Sequence, residues 1–364
     1  MSGRSSATAG QAPCRRAADR HSLREGLPGG LVYVLELAGQ NDDALARLEA
    51  ASCCSAVKPL APGLATAREV SDRARTLALT HTACRQVGTC EPTVEAARAL
   101  LERAAPEPDG SASVRARDVR GLAGVSTRRA ERALGGVLSE LGWAIDLETP
   151  ARELRVLFSA ELCAVGWVAV RTDRAFRARR PTARPFFQPG SMAPMFARAM
   201  ANIAGARPGA RILDPMCGTG GLALEAGLLG ASVLGTDVQW KMVRGTRQNL
   251  AWGLPAAADW QAVRADVRAL PIEDARLTGA VFDAPYGRQS KVIGRLDALI
   301  GAALSETARV TDRLVLIADR SWAGVARDRG WTVSAQLERP VHGSLTRFVH
   351  LLERGAGEHN RPNG

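Results

Sequence analysis

Lysine is nearly missing from this sequence. Only Lys58, Lys241 and Lys291 occur, so a net charge of +11 and a pI near 10.1 rest almost entirely on arginine. Such a balance favours a polyanionic partner such as nucleic acid and says nothing of fold. An arginine- and alanine-rich chain is also what a GC-rich genome produces. No apolar run approaches the roughly 20 residues that span a bilayer, so no membrane anchor is expected. The first thirty residues hold Arg, Ser, Gly and Ala without an apolar stretch. They read as a disordered leader rather than a secretory signal, and the expected compartment is the cytosol. Among the seven cysteines there is no C-x-x-C pair, and an odd number argues against a secreted disulfide framework. His81, Cys84 and Cys90 have no second ligand pair at a standard spacing, so no metal is expected. No internal repeat is visible.

What is present is alternation. With 364 residues, 46% of them hydrophobic, the chain has the length for two domains or three and an ordinary globular composition. Residues 31–170 interleave short strands and helices, as in a small α+β unit. The pattern predicts strands near residues 31–37 and 79–87, a helix near 69–77, and caps at Ser126 and at Asn41 or Asp42. Residues 171–188 follow as an arginine-rich linker. Arg171, Arg174, Arg177, Arg179, Arg180 and Arg184 stand there against Asp173 alone, in a run that ends in Pro181 and Pro185, as a segment able to lie along a phosphate backbone. Residues 189–354 repeat strand and helix with a regularity that predicts a parallel, doubly wound sheet, closed at one edge by an antiparallel hairpin. Residues 355–364 form a polar, loose tail.

Chemistry-bearing residues gather at strand ends in this second half. Asp214-Pro215-Met216-Cys217-Gly218-Thr219-Gly220-Gly221 sits where its first strand meets its first helix. The run Gly218–Ala223 fits G-x-G-x-x-A, so an NAD-dependent oxidoreductase competes for it. Asp214, four residues before the first glycine, instead suits the ammonium of S-adenosyl-L-methionine (SAM). Asp237 ends the second strand, where a carboxylate accepts from ribose hydroxyls. Asp266 ends the third, within reach of an adenine amine. A fourth strand runs into Asp283-Ala284-Pro285-Tyr286-Gly287. There a carboxylate can accept from an exocyclic amine and an aromatic ring can stack on the base bearing it.

These motifs resemble those of a Rossmann-like amino-methyltransferase family. Asp214–Gly221 resembles its first motif, and Asp283-Ala284-Pro285-Tyr286-Gly287-Arg288 its D-P-P-Y-G-R catalytic motif. Residues 185–192 and Ser344-Leu345-Thr346-Arg347 are similar to the archaeal tRNA guanine-N2 methyltransferases that act on position 10. Residues 152–170 with the following linker resemble the end of a THUMP domain, an RNA-binding module. The resemblance covers residues 31–353. It implies an α/β protein, with a THUMP-containing RNA-binding region before a class I methyltransferase whose seven-stranded sheet is mostly parallel. It also implies SAM held by Asp214, Cys217, Gly218, Gly220, Asp237 and Asp266, catalysis by Asp283, Pro285 and Tyr286, and tRNA held in part by the six linker arginines. The reaction implied is methylation of a guanosine N2 amine, with no obligatory protein partner. A DNA or other RNA amino-methyltransferase, or a non-catalytic RNA-binding protein that has kept the fold, are the alternatives. One position departs from the pattern. Ala284 stands where the family usually has proline, and alanine restores an N–H and freedom in φ; retained activity is expected.

Overall fold

The computed structural model describes residues 32–38, 42–274, 277–285, 293–342 and 345–355. All of these fall in one compact unit. The expected leader, most of the expected tail, Tyr286, Arg288 and Ser344 lie outside the described residues.

The first half runs β1 (Tyr33–Leu37), α1 (Asp43–Ala50), β2 (Cys54–Ser55), β3 (Lys58–Ala61), β4 (Leu64–Ala67), β5 (Glu69–Val70), β6 (Thr80–Cys90), α2 (Val94–Ala104), β7 (Ser111–Asp118), α3 (Thr127–Glu140), β8 (Ala144–Ile145), β9 (Arg152–Phe158) and β10 (Cys163–Arg171). Eight strands form one sheet in the order β3-β4-β1-β6-β10-β9-β7-β8. Each helix begins where a side chain satisfies an otherwise unpaired amide. Asp42, Thr93 and Ser126 accept the N–H of Leu45, Ala96 and Arg129 at 3.1, 3.2 and 3.4 Å. The helix expected near 69–77 is not formed. Glu69–Val70 pairs instead with Cys54–Ser55, and Asp72–Thr76 makes a short 3-10 turn. The reason lies elsewhere in the chain. The buried Glu49 carboxylate takes the N–H groups of Ala78 and Leu79, each at 2.7 Å, and draws the backbone out into an extended path.

The second half runs α4 (Pro194–Ile203), β11 (Arg211–Asp214), α5 (Gly221–Leu228), β12 (Ser232–Asp237), α6 (Trp240–Gly253), β13 (Trp260–Arg264), β14 (Gly279–Asp283), α7 (Ile293–Val310), β15 (Arg313–Ala318), α8 (Ala323–Asp328), β16 (Thr332–His342) and β17 (Leu345–Glu353). The seven-stranded sheet has the order β13-β12-β11-β14-β15-β17-β16. β11 to β15 are parallel to their neighbours, and β17 pairs antiparallel with β15. The expected hairpin is present, with its second strand inserted inside the sheet and β16 at the edge. Strand alternation divides the apolar residues between the two faces. Val281, Val315 and Ile317 pack with Phe196 and Leu222, while Phe282, Leu314 and Leu316 pack with Leu296, Ile300 and Leu304. The strand order reverses between β11 and β14, the place where open α/β sheets bind ligands.

The halves share a core. Leu35, Leu37 and Leu45 belong to the same apolar cluster as Phe196, Met200 and Ile203. Glu49 spans the junction, accepting from Asn202 Nδ2 at 2.7 Å, and Arg73 donates to the carbonyl of Ala206 at 3.3 Å. Among the described residues no helix is long and apolar enough to cross a membrane.

Candidate active site

At the switch point β11 ends in Asp214, and the chain turns through Pro215–Gly220 into α5. Two glycines make the turn possible. Gly218 and Gly220 have φ of +52° and +74°, in the left-handed region that glycine alone enters without strain. The loop is tied down from both sides. The Cys217 N–H donates to the Thr236 carbonyl at 2.8 Å and the Gly218 N–H to Asp237 Oδ2 at 3.1 Å. Thr246 Oγ1 donates to the Gly218 carbonyl at 2.9 Å.

Two cavities open along this loop. One, of about 280 Å³, lies between residues 188–192, the glycine loop and Asp283–Pro285. The other, of about 290 Å³, runs past Asp237, Val238 and Asp266. Met216, Asp283 and Pro285 line both. Of the residues assigned to the cofactor, Asp214, Cys217 and Gly218 therefore line the first cavity, and Asp237 and Asp266 the second. Gly220 is the N-cap of α5 behind the loop.

Asp214 decides what fits. It is 1% exposed, and neither carboxylate oxygen meets a hydrogen-bond donor in bonding geometry among the described residues. Burial pushes its pKa well above the ordinary carboxylate range, and the charges of Asp237 and Asp283 add to the shift. A buried acid with no cationic partner, near only the backbone N–H groups of Met216 and Ala223 and lining a cavity, suits a cationic ligand group. The amino-acid ammonium of SAM would meet that need, whereas a pyrophosphate carries no positive charge to offer it. Asp237 has an oxygen on each side engaged by backbone N–H groups, of Gly218 and of Gln239 at 2.8 Å. Its position at the end of β12 still sets it on the cavity wall, where a carboxylate could accept from ribose hydroxyls. β13 ends at Arg264, so Asp266 lies just past the strand rather than at its last residue. Its carboxylate holds Arg268 in a fork, with Nε 3.0 Å from both oxygens, and that guanidinium keeps its pKa at about 2. The Cys217 thiol is 3.5 Å from Thr246 Oγ1, and burial raises its pKa, so it lines the wall as a neutral group.

The raised pKa of Asp214 gives a test. Binding of a cation favours the carboxylate, so SAM binding should release a proton at any pH between the ordinary and the raised pKa. Affinity should weaken as pH falls through that window. Calorimetry in buffers of different ionisation enthalpy reads the release directly. In Asp214→Asn it should vanish, with affinity falling at least about tenfold, the worth of one charge-assisted bond.

Asp283 ends β14, partly buried, in register with Ile317 of β15. Ala284 follows, 3% exposed, and its N–H donates to the Ile317 carbonyl at 2.8 Å. The donor that alanine restores at this family-proline position is therefore satisfied by one more rung of the β14–β15 ladder. The backbone leaves the sheet one residue later, at Pro285.

The linker arginines separate into groups. Arg171 pairs with Glu153 at 2.6 Å, and Arg174 donates to the Ala78 carbonyl at 3.1 Å. Arg179 and Arg184 do not stand on a free surface, contrary to their expected RNA role. Arg179 Nε binds Glu225 at 2.9 Å, and Glu225, fully buried, also receives Arg198 at 2.8 Å. Arg184 is 5% exposed, folded over α5 with its Nε on the Arg179 carbonyl at 3.0 Å. Arg177 and Arg180 are exposed and line a shallow open cleft.

Sequence reasoning missed Asn249. Its amide accepts the Phe186 N–H at 2.9 Å and donates to the carbonyls of Phe186 and Thr219, each at 2.8 Å. The Phe186 ring lies flat on α6 at Gly245, where a Cβ would stand 1.9 Å from it. Ser191 reaches Thr219 Oγ1 at 3.1 Å. Together these hold residues 186–191 as the outer wall of the first cavity. A signal existed: Thr246 and Asn249 fall on the same buried stripe of α6 as Val243 and Leu250, and polar residues there need partners.

The family described as UPF0020, RMKL-like, methyltransferase domain, matches residues 181–347. The tRNA (guanine(10)-N2)-dimethyltransferase of Methanothermobacter thermautotrophicus is 35% identical over 266 residues, 70% of this chain and 78% of that protein. The protein of the same name from Methanocaldococcus jannaschii is 33% identical, over 63% of this chain and 66% of its own. A crystal structure of TrmN from Thermus thermophilus aligns with 89% of this chain and 99% of its own, at 26% identity and a TM-score of 0.47.

Proposed function

Since the chain belongs to the family of the tRNA (guanine(10)-N2)-dimethyltransferases, we propose that it methylates the exocyclic N2 amine of guanosine 10 in tRNA, giving the mono- and then the dimethylated base. One observation supports the chemistry above the others. Asp214, a buried carboxyl with no cationic partner, and Asp283, at the sheet's switch point, line one cavity from adjacent strands. Such a cavity takes a cationic amino acid at one end and an amine at the other.

SAM supplies an activated methyl group on a sulfonium when bound. The chain's task is the amine. The guanine N2 lone pair is delocalised into the ring and is a weak nucleophile. Asp283 accepts one N2 hydrogen, and a backbone carbonyl at Ala284 or Pro285 accepts the other. Both bonds favour a tetrahedral nitrogen with its lone pair directed at the incoming carbon, and Asp283 takes the released proton. Pro285 stiffens the turn that holds this geometry. Tyr286 is the residue we assign to stacking on the base once it is splayed from its helix. The eight-stranded sheet is the THUMP-like reader of tRNA shape, and Arg177 and Arg180 are the linker arginines left to meet phosphates. The compartment that supplies this substrate is the cytosol.

The test is labelled SAM with a tRNA transcript and with the same transcript carrying adenine at position 10. Label is expected in the first alone. Equal label in both moves the site elsewhere, and none in either removes the enzymatic reading.

A further inference from the structure

We propose that the solvent face of α6 is a second RNA-docking surface, where Trp240 stacks on an unpaired base and Lys241, Arg244 and Arg247 meet the phosphates around it. The proposal rests on RNA being the substrate and extends it to a surface outside both the eight-stranded sheet and the linker.

The fourteen residues of α6 include no acid. Lys241, Arg244, Arg247 and Gln248 are exposed, and no carboxylate pairs with the three cations among the described residues. A solvated helix face ordinarily mixes charges of both signs. This one adds exposed aromatics instead. Trp240 and Trp252 are 45% and 44% exposed, while Trp143, Trp322 and Trp331 are buried. The residues stand about 18 Å apart along the helix, at 1.5 Å per residue, a span that crosses several nucleotides. Trp240 is also held ready. The Arg247 guanidinium lies 5.5 Å from its ring centroid and is itself pinned by an Nε bond to the Ala262 carbonyl at 2.8 Å. An ordered ring costs less to stack on than a mobile one.

Position supports the same partner. Trp240 follows Asp237, Val238 and Gln239, which line the cavity that also reaches Asp283. With the cofactor's adenosine in that cavity, RNA docked over α6 would lie across its mouth, on the same side of the sheet as Asp283. A cationic groove with aromatic platforms is how single-stranded nucleic acid is held without sequence readout. A protein partner would instead require apolar residues at the centre of the patch, and charges occupy that place.

The experiment measures tRNA affinity by filter binding and SAM affinity by calorimetry, in the full chain. Trp240→Ala is expected to weaken tRNA binding about tenfold, the scale of one lost base stack, with SAM affinity unchanged. Trp240→Phe should recover most of the loss. Lys241→Glu with Arg244→Glu should weaken tRNA more strongly and reduce the salt dependence by about two phosphate contacts. Unaltered tRNA affinity in both variants overturns the proposal. So does a parallel loss of SAM affinity, which would assign Trp240 to the cofactor cavity. A parent chain that binds no tRNA overturns the substrate reading as well; one that binds with variants binding equally overturns this surface alone.

Discussion

Asp283→Ala is expected to lower methyl transfer to tRNA by roughly 10³-fold, within the range for losing a positioned general base, while SAM still binds. In the proposed reaction this carboxylate meets the amine at the end of β14, and it is the one acid of that strand. Asp283→Asn separates two parts of its role. An amide keeps one acceptor for the N2 hydrogen but cannot take the proton, so a comparable loss of kcat with a nearly unchanged KM for tRNA is expected. Single-turnover rates with saturating SAM and tRNA read this. If SAM binding disappears together with transfer, Asp283 serves the cofactor rather than the amine.

The second large effect concerns stability. Glu225 is fully buried on α5 and holds two guanidiniums, Arg179 from the linker and Arg198 from α4. Glu225→Ala leaves both cations short of their counter-charge in a largely buried site. Breaking a buried pair by removing one partner costs about 3–5 kcal/mol, so a fall in Tm of roughly 10 °C is expected. A thermal melt of the variant is sufficient to check it. A fall within a degree or two would mean that water enters and replaces the carboxylate. The same pairing explains why a run of arginines that reads as a polyanion-binding linker is partly structural. The acid that neutralises Arg179 lies 46 residues downstream, beyond the reach of any local charge count.

The catalytic half was largely legible in the sequence, because its strands are buried on both faces and stand out as short apolar runs between helices. Strand ends then located Asp214, Asp237 and Asp283, since in a parallel sheet every strand points its C-terminal end at the same edge. Asp266 was expected at the end of its strand and lies two residues beyond it, because β13 ends at Arg264. The segment 69–77 was misread for a different reason. Its helical spacing is real, but two backbone donors beyond it are claimed by Glu49 from another element, and tertiary bonding overrides a weak local preference. Asn249 shows in the sequence only as a polar residue on the buried stripe of α6, since its partners Phe186 and Thr219 are distant in sequence and become neighbours only once α6 packs on the sheet. At Ala284 the sequence posed a question that geometry answers. The extra N–H is bonded to Ile317, so the departure from proline leaves no orphaned donor beside Asp283.

The most direct test of the whole account is the identity of the methylated nucleoside. A tRNA transcript incubated with the chain and SAM, then digested and analysed by mass spectrometry, should contain N2-methylguanosine, with N2,N2-dimethylguanosine appearing as the reaction proceeds. Both should be absent with Asp283→Ala. Methyl groups found on adenine, on cytosine or on a ring nitrogen of guanine would contradict the role given to Asp283 and the turn after it.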